Sequence, residues 1–256
     1  MINNILKGIK AYSGALSLIS KLKLWKYFAV PIIISVVTAA LIGISAYGLS
    51  DNIGRFIANI WPWEFGKETF TSITTFIGGI VVLALGLILY KHIIMALSAP
   101  FMSPVSEKIE AHLTGVEPHN HRNTSFKSQL WRGIRINISN LGKELLITLP
   151  ILLLKFIPVV NIFSIALLFL VQAYYAGFGN MDYTLERHFK YRESVQFVKK
   201  YRGIAIGNGT VFILFLLIPV IGVILVLPMS VTASSISTVN LLKEEKSRLH
   251  NKIVVK

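Results

Sequence analysis

The chain contains no cysteine, which excludes disulfides, thiolate catalysis and cysteine-ligated metals. Charge is also scarce, at 15% of 256 residues against 54% hydrophobic, and the mean hydropathy is +0.63. Too little polar surface is left to coat a soluble globule of this size, so the sequence reads as an integral membrane protein. Acids are scarcer still, with 12 Asp and Glu against 26 Lys and Arg for a net charge of +14. In a soluble chain that excess points to nucleic acid. Here the basic residues flank and separate long apolar runs, a pattern that sets membrane orientation, so lipids rather than nucleic acid are the expected partner. No GxSxG, HExxH, Walker or Gly-rich phosphate motif is present, which argues against an enzyme, a bound cofactor or an ATP motor. All acids are expected in interfacial or polar stretches, which leaves no obvious proton relay inside a spanning helix.

Residues 1–22 alternate apolar positions with Lys7 and Lys10 at helical spacing, as in a helix lying in the membrane interface. Residues 27–49 and 69–90 are charge-free and, at about 22 residues each, long enough to cross a hydrocarbon core of about 30 Å. The two expected transmembrane helices therefore occupy 24–49 and 69–91. The first is too long for a cleaved signal's apolar core and reads as a retained anchor. Lys23, Lys26, Lys91 and His92 flank these runs on one side, with Trp25, Tyr27 and Tyr90 as belt aromatics. The connector holds Arg55 and Lys67 against Asp51, Glu64 and Glu68, whereas the other polar segments are rich in Lys and Arg. The positive-inside rule then places the connector outside and both termini in the cytoplasm.

Residues 99–144 read as amphipathic cytoplasmic helices, the first starting at Ser103 as N-cap with Pro104 as its first residue. His119 and His121 lie in a polar stretch without a Cys or carboxylate constellation, so a solvated loop is expected and no metal. Ser98 and His92 are expected on helix surfaces or against headgroups.

Two later segments, 145–178 and 203–242, are each interrupted by Ile-Pro-Val. Upstream of Pro158 about 13 residues reach only about 20 Å, short of the core. Proline lacks the amide donor and biases the preceding residue away from helical angles, so the helix should break at Pro158, with Asn161 satisfying freed backbone groups. The second segment breaks from Pro219 to Gly222, and its longer arms leave full crossing open. Basic segments follow both, 181–202 as an amphipathic helix and 243–256 as a tail, so each returns to the side it left. Broken backbone at membrane depth requires cover or water, which implies a polar interior or a homo-oligomer interface. Lys155, close to the first break, either lines that interior or snorkels to the surface. The fold expected is thus an all-α integral membrane protein of one domain, with two long transmembrane helices, two Pro-broken hemi-penetrating (re-entrant) helical hairpins and interfacial amphipathic helices.

Three stretches carry a family resemblance: APFMSPVSEKIEAHLTG (99–115), MDYTLERHFKYRESVQFVKKYRGIAIGNG (181–209) and IPVIGVILVLPMSVTAS (218–234). With them the chain resembles the CysZ-type sulfate permease family, within the superfamily that also holds the eukaryotic etoposide-induced membrane proteins. The resemblance implies paired transmembrane helices, hemi-penetrating hairpins, oligomers, a bacterial inner-membrane location and uptake of sulfate for cysteine synthesis. It also implies an anion motif in GALSLISKLKLWKYFAVP (14–31), where Gly14, Ala15, Leu16, Ser17 and Lys26 fall on the binding positions. Backbone amides at a helix start with added cations suit a tetrahedral dianion. The departures are Ala15 for the motif glycine, Leu22 for its proline, and Trp25 and Lys26 for its two arginines. Lysine offers a point charge in place of the planar fork.

Two functional classes follow. One is a transporter or channel for a small inorganic anion, sulfate foremost, with capture at the N-terminal segment and a path formed by the hairpins (Lys155, Pro158, Asn161, Pro219, Gly222). The other is a membrane scaffold that binds lipids and partners without transport.

Overall fold

The computed structural model describes residues 1–59, 66–116, 125–154, 160–218 and 220–254. Among the described residues the chain is all-helical, with no strand. In order come α1 (Ile2–Lys10), a 3-10 turn (Ala11–Gly14), α2 (Ala15–Lys21), α3 (Trp25–Ala58), α4 (Lys67–Thr114), α5 (Phe126–Leu154), α6 (Val160–Leu185), α7 (Tyr191–Lys200), α8 (Arg202–Leu216) and α9 (Ile221–Val254). Among the described residues four helices contain stretches long and apolar enough to cross a membrane: Trp25–Ser50, Leu85–Thr114, Ile162–Leu185 and Gly222–Arg248.

α3 and α4 form a long antiparallel pair. Lys108 Nζ lies 5.5 Å from the Tyr27 ring centroid at one end, and Gly86 packs against Ile42 further along. The outer face of the pair is lipid-like: Ile33, Val37 and Leu41 of α3 and Leu85, Leu89, Ile93 and Leu97 of α4 are exposed and line an apolar groove of about 690 Å³.

α4 differs from the sequence expectation. It is one helix of 48 residues that runs through both Pro100 and Pro104, so Ser103 is not an N-cap and no helix begins there. Each proline removes one intrahelical bond, and the carbonyl that Pro100 leaves without its amide donor, that of Ala96, faces Gly133 of α5 at a close approach. Among the described residues the candidate membrane-crossing stretch of α4 is Leu85–Thr114, and the expected helix 69–91 lies inside the same α4.

The core is built on α9, which packs on α3, α4, α6 and α8. Between positions 230 and 238 it carries buried Ser230, Thr232, Ser234, Ser235, Ser237 and Thr238. Short side chains let neighbouring helices approach where lipid supplies no hydrophobic force between them. The same device joins α6 to α8: a methyl at Gly177 or Gly209 would collide with the Ala205 or Ala173 carbonyl, respectively. The α8–α9 turn closes on Gly222, whose amide donates to Ile218 O at 2.9 Å, and whose missing Cβ admits the Phe215 carbonyl. The expected basic helix 181–202 is divided: α6 ends at Leu185, and α7 begins at Tyr191 after a turn. Lys155, Pro158 and Pro219, and the paired histidines His119 and His121, lie outside the described residues, while Asn161 belongs to the first turns of α6.

Candidate functional site

Three ion clusters tie α4, α5 and α6 together. Nearest the basic end, Glu110 of α4 accepts from Arg187 Nη2 at 2.9 Å and Nε at 3.3 Å, and lies 2.7 Å from His188 Nε2. Arg187 also donates to Ser106 Oγ at 2.6 Å and to the Tyr183 carbonyl at 3.0 Å. Next, Arg132 of α5 meets Asp182 of α6 through both fork positions, at 3.0 and 2.9 Å, and donates to Phe189 O and Ser194 Oγ at 2.9 Å each. Burial alone would lower the Arg132 pKa; the Asp182 carboxylate, with Glu186 beyond it, more than reverses this, so the net shift is upward.

The third cluster lies deeper. Lys91 Nζ donates to Glu144 Oε1 at 2.6 Å, His92 Nε2 lies 3.0 Å from Glu144 Oε2, and His92 Nδ1 lies 3.3 Å from Asn137 Oδ1. Lys91, His92 and Glu144 are 1, 4 and 1% exposed. Given the α3–α4 register, a rise of 1.5 Å per residue puts Lys91 roughly 15–20 Å from the level of Trp25. The sequence expectation placed Lys91 and His92 as flanking charges, His92 and Ser98 on helix surfaces, and every acid outside the spanning stretches. The surface placement is corrected, since His92 and Ser98 are buried; Glu144 is buried against Lys91, and Glu110 and Asp182 lie in the candidate apolar stretches Leu85–Thr114 and Ile162–Leu185. Hydropathy registers a charge but not the face it occupies, and Ile93 and Leu97 keep the outer face of α4 apolar past these two residues.

α5 is inverted relative to a soluble helix. Its buried positions from 137 to 148 are Asn137, Asn140, Glu144 and Thr148, whereas Ile138, Leu146, Ile147 and Leu149 are 65, 72, 44 and 59% exposed. The four polar residues fall at steps of three and four, on one helical face. Asn140 is fully buried, and neither its carboxamide N nor its O has a hydrogen-bond partner; Thr148 Oγ1 has none either. This seam was legible as the spacing Asn137, Asn140, Glu144, Thr148, which sequence reasoning passed over because it treated 99–144 as interfacial.

Residues 11–227 match the family model described as sulfate transporter CysZ/etoposide-induced protein 2.4. The chain belongs to this family. A protein of Pseudomonas syringae pv. tomato named sulfate transporter CysZ is similar to it, at 28% identity over 160 residues that cover 61% of this chain and 63% of that relative. The match thus spans less than two thirds of the relative's length. Membership and the four apolar helices make the chain a multi-pass integral membrane protein.

The segment 14–31, in which the sequence expectation put an anion site, sits apart from the seam. Gly14, Leu16, Ser17 and Lys26 are exposed and Ala15 is buried. The 3-10 turn runs directly into the seven-residue α2, and the Ala15 amide already donates to the Tyr12 carbonyl, so fewer backbone donors are open than a free helix start offers. Lys26 Nζ stands 5.3 Å from the Tyr27 ring centroid. Tyr12 anchors the segment: its hydroxyl donates to the Asn208 carbonyl at 2.9 Å and lies 2.8 Å from Ser230 Oγ. Burial pushes its pKa well up, and the Ser230 contact pulls it only partly back, so it stays a neutral donor. Among the described residues no cluster of side chains suited to a metal ion occurs.

Proposed function

We propose that the protein carries a small inorganic anion, sulfate foremost, across a bacterial inner membrane, with both termini in the cytoplasm. The observation that supports this is the inverted α5, whose polar face is turned into the bundle while its apolar face is exposed. A charge held inside a membrane bundle is costly and as a rule marks an ion or substrate path. The name of the Pseudomonas syringae relative points to the same substrate.

In this reading Lys26 and the exposed Gly14, Leu16 and Ser17 meet the anion first at the basic end. The first hairpin penetrates without crossing in this reading; in the second, α8 with its 15 residues reaches only about 22 Å, while Gly222–Arg248 of α9 is long enough to cross, so full crossing stays open there.

The test is uptake of radiolabelled sulfate into liposomes holding the purified protein. Saturable uptake above empty liposomes is expected, with the KM raised several-fold by Lys26→Ala. Folded protein that takes up sulfate no faster than empty liposomes overturns the reading.

A further inference from the structure

We propose that Lys91 is the cation that holds the travelling oxyanion inside the bundle, and that Glu144 is the counter-ion this anion displaces. The proposal rests on the transport reading and names a site within it. One lysine and one histidine share a single carboxylate, Lys91 on Oε1 and His92 on Oε2. An arriving oxyanion can therefore take Lys91 while Glu144 keeps its contact with His92, so neither side chain of the pair loses every polar partner.

Asn140, one turn from both Asn137 and Glu144 on the same helical face that meets Lys91 and His92, has two unused N–H donors. Thr148, one turn further along, brings a hydroxyl without a partner. A fully buried carboxamide with neither end bonded is a heavy cost unless something polar visits it. The site takes a tetrahedral oxyanion from solution. A lipid phosphate shares that chemistry, but Lys91 lies too far below the belt for a headgroup to reach without drawing its chains inward.

The rival account is a structural staple between α4 and α5, and neutralising both partners separates the two. A buried ion pair replaced as a pair by apolar residues is commonly neutral or stabilising, whereas removing one partner strands the other. Thermal unfolding of the full chain is followed in phospholipid-free detergent, with sodium sulfate against sodium chloride of equal ionic strength. All variants are built on Lys26→Ala to silence the surface site.

A sulfate-specific rise in melting temperature is expected in the parent, since a ligand bound to the folded state must raise stability. It should vanish in Lys91→Met/Glu144→Met although that protein folds, weaken several-fold in Asn140→Leu, and strengthen several-fold in Glu144→Gln. A parent without a sulfate-specific rise, or a double variant that keeps it in full, overturns the proposal. If the double variant does not fold, Glu144→Gln decides: tighter binding supports the displacement, and unchanged or weaker binding overturns it. Phospholipid that reproduces the rise in place of sulfate also overturns it. Because this readout is binding, loss of the rise in the double variant beside absent uptake would remove the transport reading and leave the site.

Discussion

Replacing Tyr12 with phenylalanine removes one hydroxyl and leaves the Asn208 carbonyl and Ser230 Oγ without it in a buried place. Stranding buried polar groups costs about 1–3 kcal/mol, so Tyr12→Phe should melt several degrees lower, read by circular dichroism in detergent. Arg132→Lys should cost a similar amount, about 1–3 kcal/mol, because an ammonium cannot reproduce the fork on Asp182 together with the Phe189 and Ser194 contacts. Individual residues were unevenly legible. The exposure of Lys23 and Lys26 could be read from charge beside an apolar run. Lys91 and His92 could not, since the same pattern fits a charge that ends a helix and one that turns inside it. The partner that decides the matter, Glu144, is 53 positions away.

At the scale of elements, close approach of α6 and α8 depends on side chains that are absent. Gly209→Val would drive a branched side chain into the Ala173 backbone. Overpacking of this kind costs about 1–3 kcal/mol or more, and the expected outcome is a lower melting temperature or loss of the monodisperse peak on gel filtration, with Gly142→Ala, which meets open space, unaffected. Helical content and the apolar runs of α3 and α4 were visible in composition and length. The continuity of α4 was not: Pro100 and Pro104 locally signal a break, yet the helix runs through both, with the freed Ala96 carbonyl facing Gly133 of α5. The turn from 186 to 190 was hidden for the opposite reason, because residues 181–202 keep an amphipathic helical pattern through it, while Arg187 and His188 are drawn off to Glu110.

For the whole molecule, the absence of cysteine makes every introduced thiol a lone reporter. Val220 is exposed at the turn of the second hairpin, and Val220→Cys should resist an impermeant reagent applied from outside intact cells if that hairpin penetrates without crossing; rapid labelling from outside would show that it crosses. The central claim, that α5 presents its polar face to an interior anion path and its apolar face to lipid, is tested most directly by the rate at which a small charged thiol reagent modifies Asn140→Cys and Leu146→Cys in reconstituted protein. Asn140→Cys should react and be slowed by sulfate, with Leu146→Cys inert. An inert Asn140→Cys beside a reactive Leu146→Cys, or labelling at position 140 that sulfate leaves unchanged, would contradict the account.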